Sequence, residues 1–129
     1  MKKKQRWITI LCTMILLLCM LSPVSVSAAS SSAVPAKVTI TRLSASPSRK
    51  VTLSWKKTAR ATGYRIYYKQ YGSRSWKYIA STTGTSYTHT STSKYPLSGG
   101  KKYTYVVRGY NKYSRKLGPY DKRGRTVTV

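Results

Sequence analysis

His89 and Asp121 are the only side chains outside the N-terminal leader suited to passing a proton near neutral pH. A Ser–His–Asp set would need both of them together with one of many serines. His89 lies in "SYTHT" and is expected to be an exposed strand residue. Asp121 lies in "YDKRGR", where an ion pair with Lys122 or Arg123 is its expected role. Paired-carboxylate hydrolysis is excluded by count, because the whole chain has one acidic side chain. One His and one Asp do not complete a metal shell. Cys12 and Cys19 both fall in the leader, so the remainder has no thiolate nucleophile, disulfide or Cys metal site. "SGGKK" (Ser98–Lys102) has the glycines and lysines of a phosphate loop but no helix after it, and reads as a turn. The expectation is a non-enzyme: no catalytic residues, no metal and no cofactor.

What the sequence offers instead is charge. Four of the 25 Lys and Arg (Lys2, Lys3, Lys4 and Arg6) belong to the leader, which leaves 21 against Asp121 and a net charge of +20. There is no Glu, so internal salt bridges cannot relieve this repulsion. A surface of that sign implies anionic surroundings or a strong need for solubility.

The leader itself has three parts. "MKKKQRW" is cationic, Ile8–Leu21 is an apolar run of 14 residues, and "SPVSVSAAS" supplies small residues. This is the pattern of a secretory signal peptide over 1–29, cleaved after Ala28 or Ala29. The run is shorter than the roughly 20 residues of a membrane helix. Leu18 before Cys19 does not suit a lipoprotein signal. Residues 30–35, "SSSAVP", are expected to be a flexible leader to one domain over 36–129.

Beyond Ala36 the hydrophobic period is two. Val38 and Ile40 alternate, as do Val51, Leu53 and Trp55, then Tyr64, Ile66 and Tyr68. "SWKYIAS", "TSYTHT", "KKYTYVVRGYN" and "GRTVTV" follow. Turn signals containing Gly, Pro or Ser separate the runs. Seven such strands at about 8–12-residue spacing predict an all-β fold, an antiparallel immunoglobulin-like β-sandwich.

The assembled pattern "VTLSWKK…ATGYRIYYK…W…TSYTHT…LSGGKKYTYVVRGYN…GPY" resembles a fibronectin type III domain over about Pro35–Val129. The resemblance implies strands A, B and E in one sheet and C, C′, F and G in the other. It makes Trp55, Tyr64, Ile66, Leu97, Tyr103 and Val107 the structural core. Leu97 would plug one end, Gly99-Gly100 would turn the chain, and Tyr103 would bond its hydroxyl to nearby backbone as a tyrosine corner. There is no Arg-Gly-Asp; the nearest string is "KRGR" (Lys122–Arg125), so integrin binding is not carried over. Short Tyr-rich strands after a signal peptide are similar to modules of secreted Gram-positive proteins.

Alternation places Arg65, Tyr67 and Lys69 on one outer face, beside Arg108 and Tyr110, with Lys77 added from the next strand. Lys112, Tyr113, Arg115 and Lys116 extend this set along "NKYSRKLGPY". Cations attract phosphate or carboxylate, and tyrosines stack on sugars or bases. These residues are the candidate polyanion-binding site; the equal alternative for the tyrosines is cross-strand stiffening. The expected function is a secreted binding module, attached by charge to an anionic polymer of the cell wall or to polysaccharide. The alternatives are an adhesion module for an acidic protein surface and a cationic effector that meets nucleic acid, nonspecifically, or membrane. No transmembrane segment is expected after signal cleavage.

Overall fold

The computed structural model describes residues 33–129; the expected signal peptide lies outside the described residues. The strands are β1 (Ile40–Ser46), β2 (Lys50–Trp55), β3 (Gly63–Gln70), β4 (Lys77–Thr82), β5 (Ser86–Thr90), β6 (Lys102–Asn111), β7 (Lys116–Leu117) and β8 (Arg125–Thr128). β1, β2 and β5 form one antiparallel sheet. The second has the order β4-β3-β6, with both β7 and β8 paired to β6. This is the expected two-layer sandwich with the expected division of strands. One difference is that the last strand comes in two pieces. β7 pairs at Tyr110↔Leu117 and β8 resumes at Tyr105↔Arg125. Between them Pro119 has no N–H to give to a ladder, and the chain leaves the sheet.

Period-two alternation decides what goes inside. Val51, Leu53 and Trp55 of β2 face Tyr64, Ile66 and Tyr68 of β3 and Tyr103, Tyr105 and Val107 of β6 across one core. Val38, Ile40 and Leu97 close it. The six residues expected as core (Trp55, Tyr64, Ile66, Leu97, Tyr103 and Val107) are all buried, none more than 5% exposed. Each fully buried large apolar side chain contributes roughly 1.5–3 kcal/mol. Tyr103 accepts the Ser98 backbone N–H on its hydroxyl at 2.8 Å, which ties the loop before β6 to the strand. Gly100 turns that loop with a φ of +74°, a conformation glycine adopts at little cost.

Residues 30–35 were expected to be a loose leader, yet the packed unit begins at least as early as Ala33. The Ala33 carbonyl accepts the Ser114 hydroxyl at 2.7 Å, and the Val34 carbonyl accepts Nε of Arg60 at 2.8 Å. Pro35 is fully buried over Gly109. That contact explains why the inward row of β6 reads Tyr103, Tyr105, Val107 and then Gly109. A Cβ at 109 would stand 2.8 Å from the Pro35 Cβ and 3.2 Å from the Ala61 Cβ.

His89 corrects the sequence reading. It shares its parity with Tyr87 and points into the core, 2% exposed rather than facing water. Its Nε2 lies 3.1 Å from the Tyr95 carbonyl, which can only accept, so Nε2 carries the proton. Nδ1 then accepts from the Tyr105 hydroxyl at 2.8 Å. The ring packs edge-on against Tyr68 with centroids 4.7 Å apart. Burial holds its pKa below the usual histidine range, only partly offset by the Tyr95 carbonyl. Burial likewise raises the Tyr105 hydroxyl, with Tyr68 and Tyr103 adding to the effect.

Two outcomes follow from this packing. Gly109→Ala should cost ~1–3 kcal/mol by overpacking, seen as a lower urea midpoint at unchanged slope; an unshifted midpoint would mean that Pro35 is not seated there. The second concerns pH. An unfolded His89 takes up a proton near pH 6.5, whereas the folded ring does so only at lower pH. Stability is therefore full above that value and falls as the pH drops below it, by at most about 1.4 kcal/mol per pH unit. His89 is the sole histidine, the residue type that ordinarily titrates in this range, so His89→Leu should flatten the dependence of Tm on pH. A level wild-type profile from about pH 7.5 to 5 would contradict a neutral buried ring.

Candidate functional site

The two residues that a hydrolytic set would need are each engaged elsewhere. Both ring nitrogens of His89 are bonded within the core. Asp121 accepts the Arg123 backbone N–H on Oδ1 at 3.1 Å, so its carboxylate shapes its own turn instead of pairing with a side chain as expected. Its carbonyl accepts the Gly124 N–H at 3.1 Å in the same turn. Among the described residues no group of three or more His, Cys, Asp or Glu is placed to hold a metal ion.

The outer face of the β4-β3-β6 sheet gathers most of the expected binding residues. β3 and β6 run antiparallel with Arg65↔Arg108, Tyr67↔Val106 and Lys69↔Thr104 in direct register. β4 adds Ser81 opposite Arg65 and Tyr78 opposite Tyr67. The first of these rungs sets two guanidinium groups side by side, an arrangement that is destabilising when nothing intervenes. They part in opposite directions. Arg65 lies over the Tyr110 ring, with Cζ 4.6 Å from its centroid. Arg108 turns the other way, donates from Nε to the Gly118 carbonyl at 2.8 Å and lies 5.5 Å from the Tyr120 ring.

This parting divides the face into two recesses. Arg65, Tyr78, Tyr110 and Lys112 line an open groove of ≈ 430 Å³ with Ser81, Thr82 and neighbouring backbone. Tyr67, Trp76, Arg108 and Tyr120 line a smaller cleft over Val106. Lys69 does not line this cleft but lies over one of its rings, Nζ 4.7 Å from the Trp76 centroid. Tyr67 packs against Tyr78 of β4 at 5.6 Å, so its cross-strand partner is Tyr78, while Tyr110 stands opposite Gly63 and pairs with no tyrosine.

The other expected residues scatter. Lys112, above the Tyr113 ring at 5.0 Å, belongs to the larger groove. Tyr113 and Arg115 are exposed at the β6–β7 turn, Arg115 with a φ of +55°. Lys116 pairs with Asn111, whose side chain is buried and donates to the Arg60 carbonyl, so Lys116 stands on that side of the ladder and not beside Tyr110. Lys77 also departs from expectation. An irregularity between Ile66 and Tyr67 sets Tyr78 opposite Tyr67 and Lys77 opposite inward-facing Tyr68. Lys77 therefore lines a separate recess with Tyr68 and Pro96.

Trp76, Tyr78 and Tyr120 are the members of the face that sequence reasoning did not assign. Trp76 heads the short run "SWKYIAS" just before β4, and Tyr120 lies in "GPYDK" between β7 and β8. The available signal was their type: large aromatics in polar segments that the core does not need. Val106 shows how the cleft gains its floor. It shares the outward parity of Arg108 but is only 3% exposed. The segment that leaves the sheet between β7 and β8 covers it, bringing Gly124 against Val106 and Tyr120 alongside Trp76 at 6.3 Å.

No protein-family model and no curated protein matches the chain. Solved structures do. "FN3tt mut" is 23% identical, with a TM-score of 0.54 over 74% of this chain and 93% of its own. The FN5 domain of Drosophila Lar is 16% identical, with a TM-score of 0.56 over 74% and 96%. A Fn3-like protein from Clostridium thermocellum is 21% identical, with a TM-score of 0.51 over 70% and 86%. Two sheets of the expected strand division, the Leu97–Tyr103 corner and these likenesses agree: the chain has the fibronectin type III fold.

Proposed function

We propose that the chain is a secreted, non-catalytic binding module that attaches by charge to anionic polymers of the cell envelope or to acidic polysaccharide. The observation that carries this reading is the outer face of the β4-β3-β6 sheet. There Arg65, Lys69, Arg108 and Lys112 interleave with Tyr67, Trp76, Tyr78, Tyr110 and Tyr120, on a chain with a single carboxylate side chain. The leader over 1–29 supports export. The cations are held by carbonyls and ring faces, which leaves N–H donors on Arg65 and Arg108 for a ligand's phosphate or carboxylate.

Binding of this kind releases counterions and weakens steeply with salt. The protein should be retained on heparin and on isolated cell walls near 0.1 M NaCl and released well below about 1 M, where the Debye length has fallen from roughly 10 to 3 Å. Arg65→Gln with Lys69→Gln should elute earlier than Lys50→Gln with Lys57→Gln, which removes the same charge from exposed positions in and just after β2. Retention indifferent to salt would refute the electrostatic reading. Equal shifts for the two pairs would refute the assignment to this face. A single protein partner that stays bound in high salt would favour the adhesion alternative.

A further inference from the structure

The geometry points to the smaller cleft as a subsite for one hexuronate unit of an acidic polysaccharide, an inference that rests on the polyanion reading and names its ligand class. Charge alone does not account for the cleft. Tyr67, Trp76 and Tyr120 surround the buried Val106 in a recess of ≈ 90 Å³. Tyr120 is 37% exposed and serves no strand pairing. Ring faces partner Lys69 and Arg108, but a site built only for phosphate chains does not need those rings gathered around an apolar floor, since phosphate offers no apolar surface.

Trp76 and Tyr120 meet at 72° with centroids 6.3 Å apart. They form an open corner, not a slot between parallel planes, so a flat base inserted there would stack on one wall only. A pyranose suits a corner better. Its axial C–H groups present an apolar face to one ring while its rim presents hydroxyls to solvent. The recess is too shallow to enclose a sugar and fits one face of one unit in a chain crossing the sheet.

The cations complete the chemistry. Arg108 lines the cleft, and its Nε bond to the Gly118 carbonyl at 2.8 Å fixes the plane of the guanidinium. The terminal nitrogens remain free of that bond and suit a carboxylate, which accepts two parallel N–H bonds. Lys69 lines the neighbouring recess but holds its ammonium 4.7 Å from the Trp76 ring, so it adds positive charge beside the cleft. Carboxylate and apolar sugar face are therefore recognised by different parts of one cleft.

The test uses the secreted protein and four probes of matched length: oligogalacturonate, its carboxyl-reduced neutral counterpart, inorganic polyphosphate and single-stranded DNA. Affinities are measured by calorimetry near 0.15 M NaCl. Oligogalacturonate should bind more tightly than polyphosphate, and the neutral counterpart only weakly. Trp76→Ala with Tyr120→Ala should weaken oligogalacturonate about tenfold and leave polyphosphate nearly unchanged. Tyr120→Ala alone, a change in an exposed turn, should give part of the same loss should the double variant unfold. Oligogalacturonate binding that is indifferent to both variants overturns the subsite while leaving attachment by charge intact. Single-stranded DNA that binds more tightly and depends on the same rings overturns the sugar assignment in favour of nucleic acid. Failure of every anion to bind overturns the polyanion reading together with the subsite.

Discussion

Residues 33–129, with 21 of the 25 Lys and Arg and the one acidic side chain, have almost no counter-ions of their own. That shortage governs how their cations are placed. Ion pairs, the ordinary solution, are unavailable. The guanidinium and ammonium groups turn to backbone carbonyls and to ring faces. Arg60 and Arg108 donate to carbonyls. Among the described residues six cations lie over aromatic rings at 4.6 to 5.9 Å. Such contacts ordinarily occur about once in 70–80 residues, so their density here marks rings standing in for carboxylates. Neither kind of partner neutralises charge. The face keeps its field, which is the property that a polyanion ligand would use.

The interior obeys a parallel rule. The chain has 12 Tyr and no Phe, so nearly every aromatic ring in the core brings a hydroxyl with it. A buried hydroxyl without a partner is costly. Tyr64 and Tyr103 accept backbone N–H groups from Thr58 and Ser98. Tyr68 reaches the Pro96 carbonyl at 3.4 Å. Tyr105, the largest fully buried side chain, has its hydroxyl at the centre of the sandwich and needs an acceptor there. His89 is that acceptor. The sole histidine is thus a structural consequence of a tyrosine core, and its neutrality links stability to pH. Trp55 is the exception to this satisfaction, since its indole N–H has no hydrogen-bond partner.

Two segments without regular structure shape the surface more than the strands do. Residues 33–36 cross the end of β6 and hold Pro35 over Gly109 and against Gly118, beside the loop Ala59–Ala61. The segment between β7 and β8 crosses the other side of β6 and covers Val106, so the middle of that strand is buried on both faces. The same crossing delivers Tyr120 to Trp76. The covering of β6 and the formation of the cleft are therefore one event.

Much of this was legible in the residues alone. Strict alternation, turn residues at short spacing and the Leu97–Tyr103 interval specify the two-layer fold, the core set and the outward row Arg65, Tyr67, Lys69, Arg108 and Tyr110. Period two is a local property, and each strand carries it without knowledge of its neighbours. What tertiary structure decided lies where that period breaks or where distant segments meet. The irregularity after Ile66 exchanged Lys77 for Tyr78 on the outer face of the sheet. The register of β7 turned Lys116 away from it. The fold buried His89 against Tyr105 and brought Trp76, Tyr120 and Arg108 around Val106. The physical reason is that inside and outside follow from neighbours along the chain, whereas a site depends on which strands pair, in what register, and what crosses over them.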